Sequence, residues 1–166
     1  MTSDAVQAQD RAWQPWSGRS PWLNRSLAED ALAEAASQGG AILALIFVVN
    51  QVEHIRDEFG DEAVSRLLRE FAGRLRQRLP AHVPLHRWTS SSFLVVLPEG
   101  RLEMPRAWDG AFCQPEPFEI LLNAPPARDS RVTVTSTAGV LVSRQLPSPA
   151  LLAQSLDDFA ARHAVS

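Results

Sequence analysis

The sequence predicts an α/β fold, a mixed central sheet of about five strands flanked by helices. Three observations predict it. The run AILALIFVVN at 41–50 is apolar throughout and rich in branched residues, the pattern of a strand buried on both faces. Two helical stripes follow it directly. The later apolar stretches then come in short pairs separated by turn formers. A strand followed by helices must cross over to reach the next strand, whereas hairpins add antiparallel neighbours, so the sheet is expected to be mixed. This is an α/β sandwich rather than a doubly wound nucleotide fold.

The elements follow in order. Residues 1–16 form a polar tail carrying Trp13 and Trp16, and 17–166 form a single domain, as a chain of 166 residues suggests. Helix 24–37 can be capped by Asn24 or Ser26, with Leu27, Ala31, Leu32 and Ala35 on one face; Gly39-Gly40 ends it. After the apolar strand, Val52, Ile55 and Phe59 mark a short helix that Gly60 breaks. Asp61 can cap the next helix, whose stripe is Val64, Leu67, Leu68, Phe71, Leu75 and Leu79, closed by Pro80 and Pro84. PLHRW and FLVVLP read as a hairpin joined by TSSS. FEILLN (118–123) and RVTVTSTAGVLVS (131–143) read as a second strand pair. Ser148-Pro149 opens the last helix, with proline in its first turn. Residues 99–117 are Pro-rich and predict no helix.

Composition excludes several functions. Apolar residues make up 45%, enough for a sizeable core, and a net charge of −3 asks for neither nucleic acid nor an anionic membrane. All 16 cationic residues are Arg, so amine-based phosphate binding and Schiff-base chemistry are out. The lone Cys113 forms no intramolecular disulfide and no thiolate cluster. The N-terminus lacks a signal-peptide pattern and no run is long enough to span a bilayer, which reads as a cytoplasmic protein.

Thr89, Ser90, Ser91 and Ser92 with His86 could suggest a nucleophile and base, but no Gly-x-Ser-x-Gly elbow surrounds them, and a hairpin turn explains them. His82 and His86 have no third ligand nearby, so a zinc site is not expected. Arg66, Arg69, Arg74, Arg76 and Arg78 read as a solvated helix face, the alternative being an anionic partner. Asp157 and Asp158 are expected to face water. Trp13, Trp16 and Trp22 either fold back onto the domain or dock on a partner.

Taken together, the order and several strings resemble a GGDEF domain, the diguanylate cyclase family of bacteria. SPWLNR at 20–25 is similar to the family's opening motif, with Asn24-Arg25 on its Asn-Arg pair. LALIFVVNQVEHIRDEFGDEAVSRLLREFAGRLRQRL (43–79) parallels its strand–helix–helix block, where Ile55, Asp57, Phe59 and Gly60 fall on the consensus. HRWTSSSFLVVLP sits where the signature hairpin belongs, and VTVTSTAGV (132–140) resembles the strand carrying Ser-x-Gly-Val.

The departures matter as much. Thr89, Ser90, Ser91 and Ser92 stand where the signature glycines and acidic pair belong. The resemblance implies that the strand-end metal carboxylate falls on Val48, and the guanine-reading Asn and Asp on Arg56 and Ser65. Neutral hydroxyls cannot replace carboxylates on Mg²⁺ or act as a base near neutral pH. An Arg has no acceptor for guanine's N–H donors. The family's product-binding Arg-x-x-Asp falls on Pro80-Ala81-His82-Val83. The sequence therefore predicts no catalytic residue, metal or cofactor. It leaves an inactive interaction subunit in a cyclic di-GMP-linked process such as exopolysaccharide (cellulose) secretion, biofilm or pilus control. Its partner would be a bacterial signalling or secretion protein or a second copy in a homodimer, not nucleic acid. The alternative is a non-catalytic receptor in which Arg56, Arg87 and the hydroxyls of 89–92 meet the phosphates of GTP or cyclic di-GMP.

Overall fold

A computed structural model of the chain describes residues 22–39, 41–98, 116–124, 128–143 and 148–164. The expected tail, Trp13, Trp16, Cys113 and nearly all of the Pro-rich stretch lie outside them. The apolar run forms β1 (Ile42–Val49), every residue of which is buried. α1 (Arg25–Ser37) precedes it; α2 (Val52–Phe59) and α3 (Asp61–Arg78) follow. Then come β2 (His86–Thr89), β3 (Ser92–Pro98), β4 (Phe118–Ala124), β5 (Arg128–Val134), β6 (Ser136–Ser143) and α4 (Pro149–His163).

Strands pair in the order β2-β3-β1-β6 in one sheet and β4-β5 in a second. Each of these pairings is antiparallel. The α/β class therefore stands, but the strands divide four and two. Among the described residues, the parallel component is a single bridge, Leu23 to His86. The crossover from β1 through two helices delivers β2 in the same direction as β1, and β3, reversed by the hairpin, takes the place beside β1, so the pairing itself is antiparallel.

The stretch 131–143 reads as one strand, yet it is two strands in different sheets. Asn50 fixes the corner between them: its N–H donates to the Thr135 carbonyl at 3.0 Å and its Nδ2 to Thr135 Oγ1 at 3.1 Å. Thr137 Oγ1 donates back to Asn50 Oδ1 at 3.2 Å. A continuous β-branched run cannot signal where the chain leaves one ladder for another.

Alternation along β1 feeds two cores. Leu43, Leu45, Phe47 and Val49 join α2, α3 and the β4–β5 hairpin in a first core containing Leu67, Phe71, Phe93 and Phe118. Ile42, Ala44, Ile46 and Val48 join α1 and α4 in a second, with Leu32, Trp88, Leu152 and Leu156. Burying each large apolar side chain stabilises the fold by roughly 1.5–3 kcal/mol.

Helix ends follow local chemistry. Asn24 caps α1, Oδ1 accepting from the Leu27 N–H at 3.0 Å, and Ser148 caps α4 through Leu151 N–H at 3.3 Å. Leu27 departs from its expected face: Ala28, Leu32 and Ala35 are buried, while Leu27 is 43% exposed. Asp61 does not cap α3; it opens the helix, and its carboxylate instead accepts from Arg56 Nε at 3.0 Å. Gly60, with φ 87°, makes the sharp link between α2 and α3 in a conformation that side chains disfavour. On β6, a Cβ at Gly139 would lie 2.5 Å from the Phe159 ring, so α4 rests directly on glycine backbone.

Two polar expectations change. Asp157 does not simply face water: its carboxylate takes a bidentate pair of 2.9 Å hydrogen bonds from Arg25, while Asp158 is exposed as expected. Arg66, Arg69, Arg74 and Arg78 are exposed, but Arg76 is half-buried. Its guanidinium donates to the carbonyls of Pro80, Ala81 and Val83, stapling the loop after α3. Burial lowers its pKa to about 10.

Candidate functional site

The four hydroxyls close the β2–β3 hairpin. Thr89 and Ser92 pair across its mouth with an irregularity after Arg87. Thr89 N–H donates to Ser92 Oγ at 3.1 Å, and the two side-chain hydroxyls share a hydrogen bond of 2.5 Å. Ser91 is buried, its carbonyl accepting from the Val49 N–H at 2.8 Å, so the turn is stitched to the end of β1. Only Ser90 is exposed. The Thr89 and Ser92 hydroxyls thus serve one another and the backbone, and His86 is not their base. Its side chain is buried, burial pushes its pKa down to about 4, and its Nδ1 has no hydrogen-bond partner.

Arg87 completes the turn. Its Nε donates to the Thr89 carbonyl at 2.6 Å and its Nη2 to the Ser90 carbonyl at 2.5 Å. Desolvation, and then the positive charge of Arg56, lower its pKa. Arg56 therefore sits within electrostatic reach of the turn, yet it is already committed. Glu53 and then Asp61 hold its guanidinium and raise its pKa. Ser65 is exposed on α3, just over one turn beyond the α2–α3 link.

Val48 faces the opposite side. It is fully buried in the second core, pairing with Ser92 on β3 and Thr137 on β6. The structure thus brings Val48 and the 89–92 turn together, with Arg56 and Arg87 at the same corner.

Trp22 folds back onto this corner. Its ring packs edge-on against Phe93 with centroids 5.3 Å apart, and Arg87 lies 5.2 Å from its centroid. Leu23 continues the contact as a short parallel strand: its N–H donates to the Leu85 carbonyl at 2.9 Å, and its carbonyl accepts from Arg87 N–H at 2.7 Å. Arg25 then spans to Asp157 and lies 4.0 Å over the Trp88 ring. Sequence reasoning found Trp22 but missed the Arg25–Asp157–Trp88 latch, whose members are 132 and 63 residues from Arg25.

Residues 22–159 match the family described as Diguanylate cyclase, GGDEF domain. The chain belongs to the GGDEF domain family. Its fold agrees with solved GGDEF structures: the diguanylate cyclase SiaD of Pseudomonas aeruginosa, in complex with its activator SiaC, superposes with a TM-score of 0.66 at 18% identity, over 98% of this chain and 64% of that one. The FimX GGDEF domain of the same organism gives 0.63 at 19% identity, covering 88% and 93%. In sequence, the diguanylate cyclase DgcP of P. aeruginosa is 32% identical over 78 residues, which is 47% of this chain and 12% of that protein. The chain thus spans only a small part of that relative.

The Mg²⁺ that the family implies does not fit these residues. Val48 offers no ligand atom and lies in an apolar core, and Ser92 Oγ is engaged with Thr89. Hard divalent cations need several oxygen ligands, usually with carboxylates among them. Among the described residues, no group of three His, Cys, Asp or Glu side chains is placed to hold a metal ion. Nor is any described helix long and apolar enough to cross a membrane.

Proposed function

We propose that this GGDEF-family domain keeps the fold without the cyclase reaction and acts by binding proteins. The supporting observation is the pairing of Val48 with Ser92, an apolar side chain and an internally bonded hydroxyl, where the family reaction needs metal-holding carboxylates. Without that electrostatic stabilisation, phosphoryl transfer loses most of its acceleration. Arg56, tied to Glu53 and Asp61, likewise offers no acceptor to a guanine edge.

In this reading the domain is a cytoplasmic regulatory subunit in a bacterial cyclic di-GMP-linked process, of the exopolysaccharide, biofilm or pilus kind. The SiaD–SiaC complex supports it by analogy, as a GGDEF-containing chain held by a partner protein. Trp13 and Trp16 are the contacts the reading assigns to the partner, since Trp22 is occupied by Phe93 and Arg87.

The competing reading is a receptor for GTP or cyclic di-GMP, favoured by the two cations Arg56 and Arg87 flanking one corner. Calorimetry with each nucleotide, alongside a cyclase assay with Mg²⁺, separates the two. The interaction reading expects no heat and no product. Micromolar binding without turnover establishes the receptor instead, and any cyclic di-GMP formed overturns both.

A further inference from the structure

We propose that the edge of β5 left unpaired among the described residues is a self-association surface on which a second copy of this chain adds its own β5 antiparallel. The β4–β5 hairpin is a separate sheet, and among the described residues β5 is paired on one side only. Its register with β4 runs unbroken from Phe118–Val134 to Ala124–Arg128, with no bulge to twist the edge away. Ser130, Val132 and Thr133 also line a cleft of about 460 Å³ together with His54 and Glu58 of α2. An unpaired strand edge is a template for another strand unless proline, a bulge or charge blocks it. The sequence of β5, RDSRVTV, contains no proline, so within the strand itself it is the charges that decide which neighbour fits.

Those charges are self-complementary. A two-fold axis at Ser130 sets Asp129 opposite Arg131 of the second copy, and Arg131 opposite Asp129 of the second copy. Moving the axis by one residue either way places Arg131 on Arg131 or Asp129 on Asp129. Opposite charges directly across a strand pair stabilise it, and like charges oppose it, so charge selects the register. Asp129 and Arg131 are both exposed, and Arg131 is held only loosely, 3.9 Å from Glu119. Leu121, opposite Arg131 on β4 and 42% exposed, adds apolar surface to the same face. Strand addition would make a continuous four-stranded sheet across two molecules.

This surface extends the binding reading and is independent of nucleotide affinity, so calorimetry and oligomeric state can fail separately. Sedimentation of the full chain is expected to show a concentration-dependent dimer. Asp129→Arg and Arg131→Asp should each lose the dimer, and the combined swap should restore it. Both residues are exposed, so circular dichroism should stay unchanged. As a second measurement, Ser130→Cys in a Cys113→Ser background places the new thiols against each other at the two-fold. Directly opposed strand residues have Cα atoms about 4.5–5.5 Å apart, within disulfide range. Mild oxidation should therefore give a covalent dimer. A monomer at every concentration, single reversals without effect, an unrestored double swap, or no crosslink at position 130 would each overturn the proposal.

Discussion

The two sides of β1 are held by different physics. The side facing α2 and α3 is built from contiguous apolar and aromatic packing, with Phe71 5.8 Å from Phe93 and 6.5 Å from Phe118 between ring centroids. The side facing α1 and α4 is smaller and carries unmet polar demands: His86 Nδ1 is buried without a partner, as is Trp88 Nε1 in the core itself. Its edge is closed by charge, through Arg25, Asp157 and the face of Trp88. Unsatisfied buried polar groups each cost about 1–3 kcal/mol. The first core is therefore the larger source of apolar burial, and the second is the side that carries the unpartnered polar atoms.

The largest effect should come from the first core. Phe71→Ala removes a buried ring shared by α3, β3 and β4 and should cost about 3–5 kcal/mol, read as a lower denaturant midpoint. A loss below 1 kcal/mol would mean that this core is not the dominant one.

The next effect tests the second side. Burial holds folded His86 at about 4, below its ordinary value of 6.5, so on acidification the unfolded chain takes up the proton first. Stability is therefore full above about pH 6.5, falls as pH drops toward 4, and levels off below. Between neutrality and about pH 5 this one residue should remove about 2 kcal/mol. His86→Leu should flatten that part of the pH profile; an unchanged slope would place the proton elsewhere.

The smallest effect sharpens the contrast. Asp157→Asn removes the charge of the latch while keeping its shape, at half-exposed positions where salt bridges contribute about 1 kcal/mol or less. The global midpoint should hardly move, whereas hydrogen exchange should accelerate in α1 and α4 and not in α3. Acceleration in α3 would show that the two cores are not separable.

What the sequence disclosed follows the same division. The stripe of α3, the buried run of β1 and the capping residues Asn24 and Ser148 were legible because their signals are local and periodic. Trp22 was legible as an aromatic that had to go somewhere. The Arg25–Asp157 pair was not, since neither residue carries any mark of a partner so far along the chain. The corner at Thr135 was hidden inside a uniform strand pattern. His86 could suggest a base for the hydroxyls because sequence shows its chemistry and not its burial. At the hairpin, the hydroxyls were visible, but not that Arg87 would take up the turn's carbonyls.

The burial of Val48 bears on whether the proposed change of function could be reversed. A carboxylate placed there singly would enter a core formed with Trp88, Leu94 and Leu152, where an unpaired charge is strongly disfavoured. Nor could Ser92 alone become acidic without giving up its bonds to Thr89, which close the hairpin. Each such single step is obstructed by the packing in place. The hairpin and strand end would have to change together, so no single substitution would install a pair of metal-holding carboxylates at this corner.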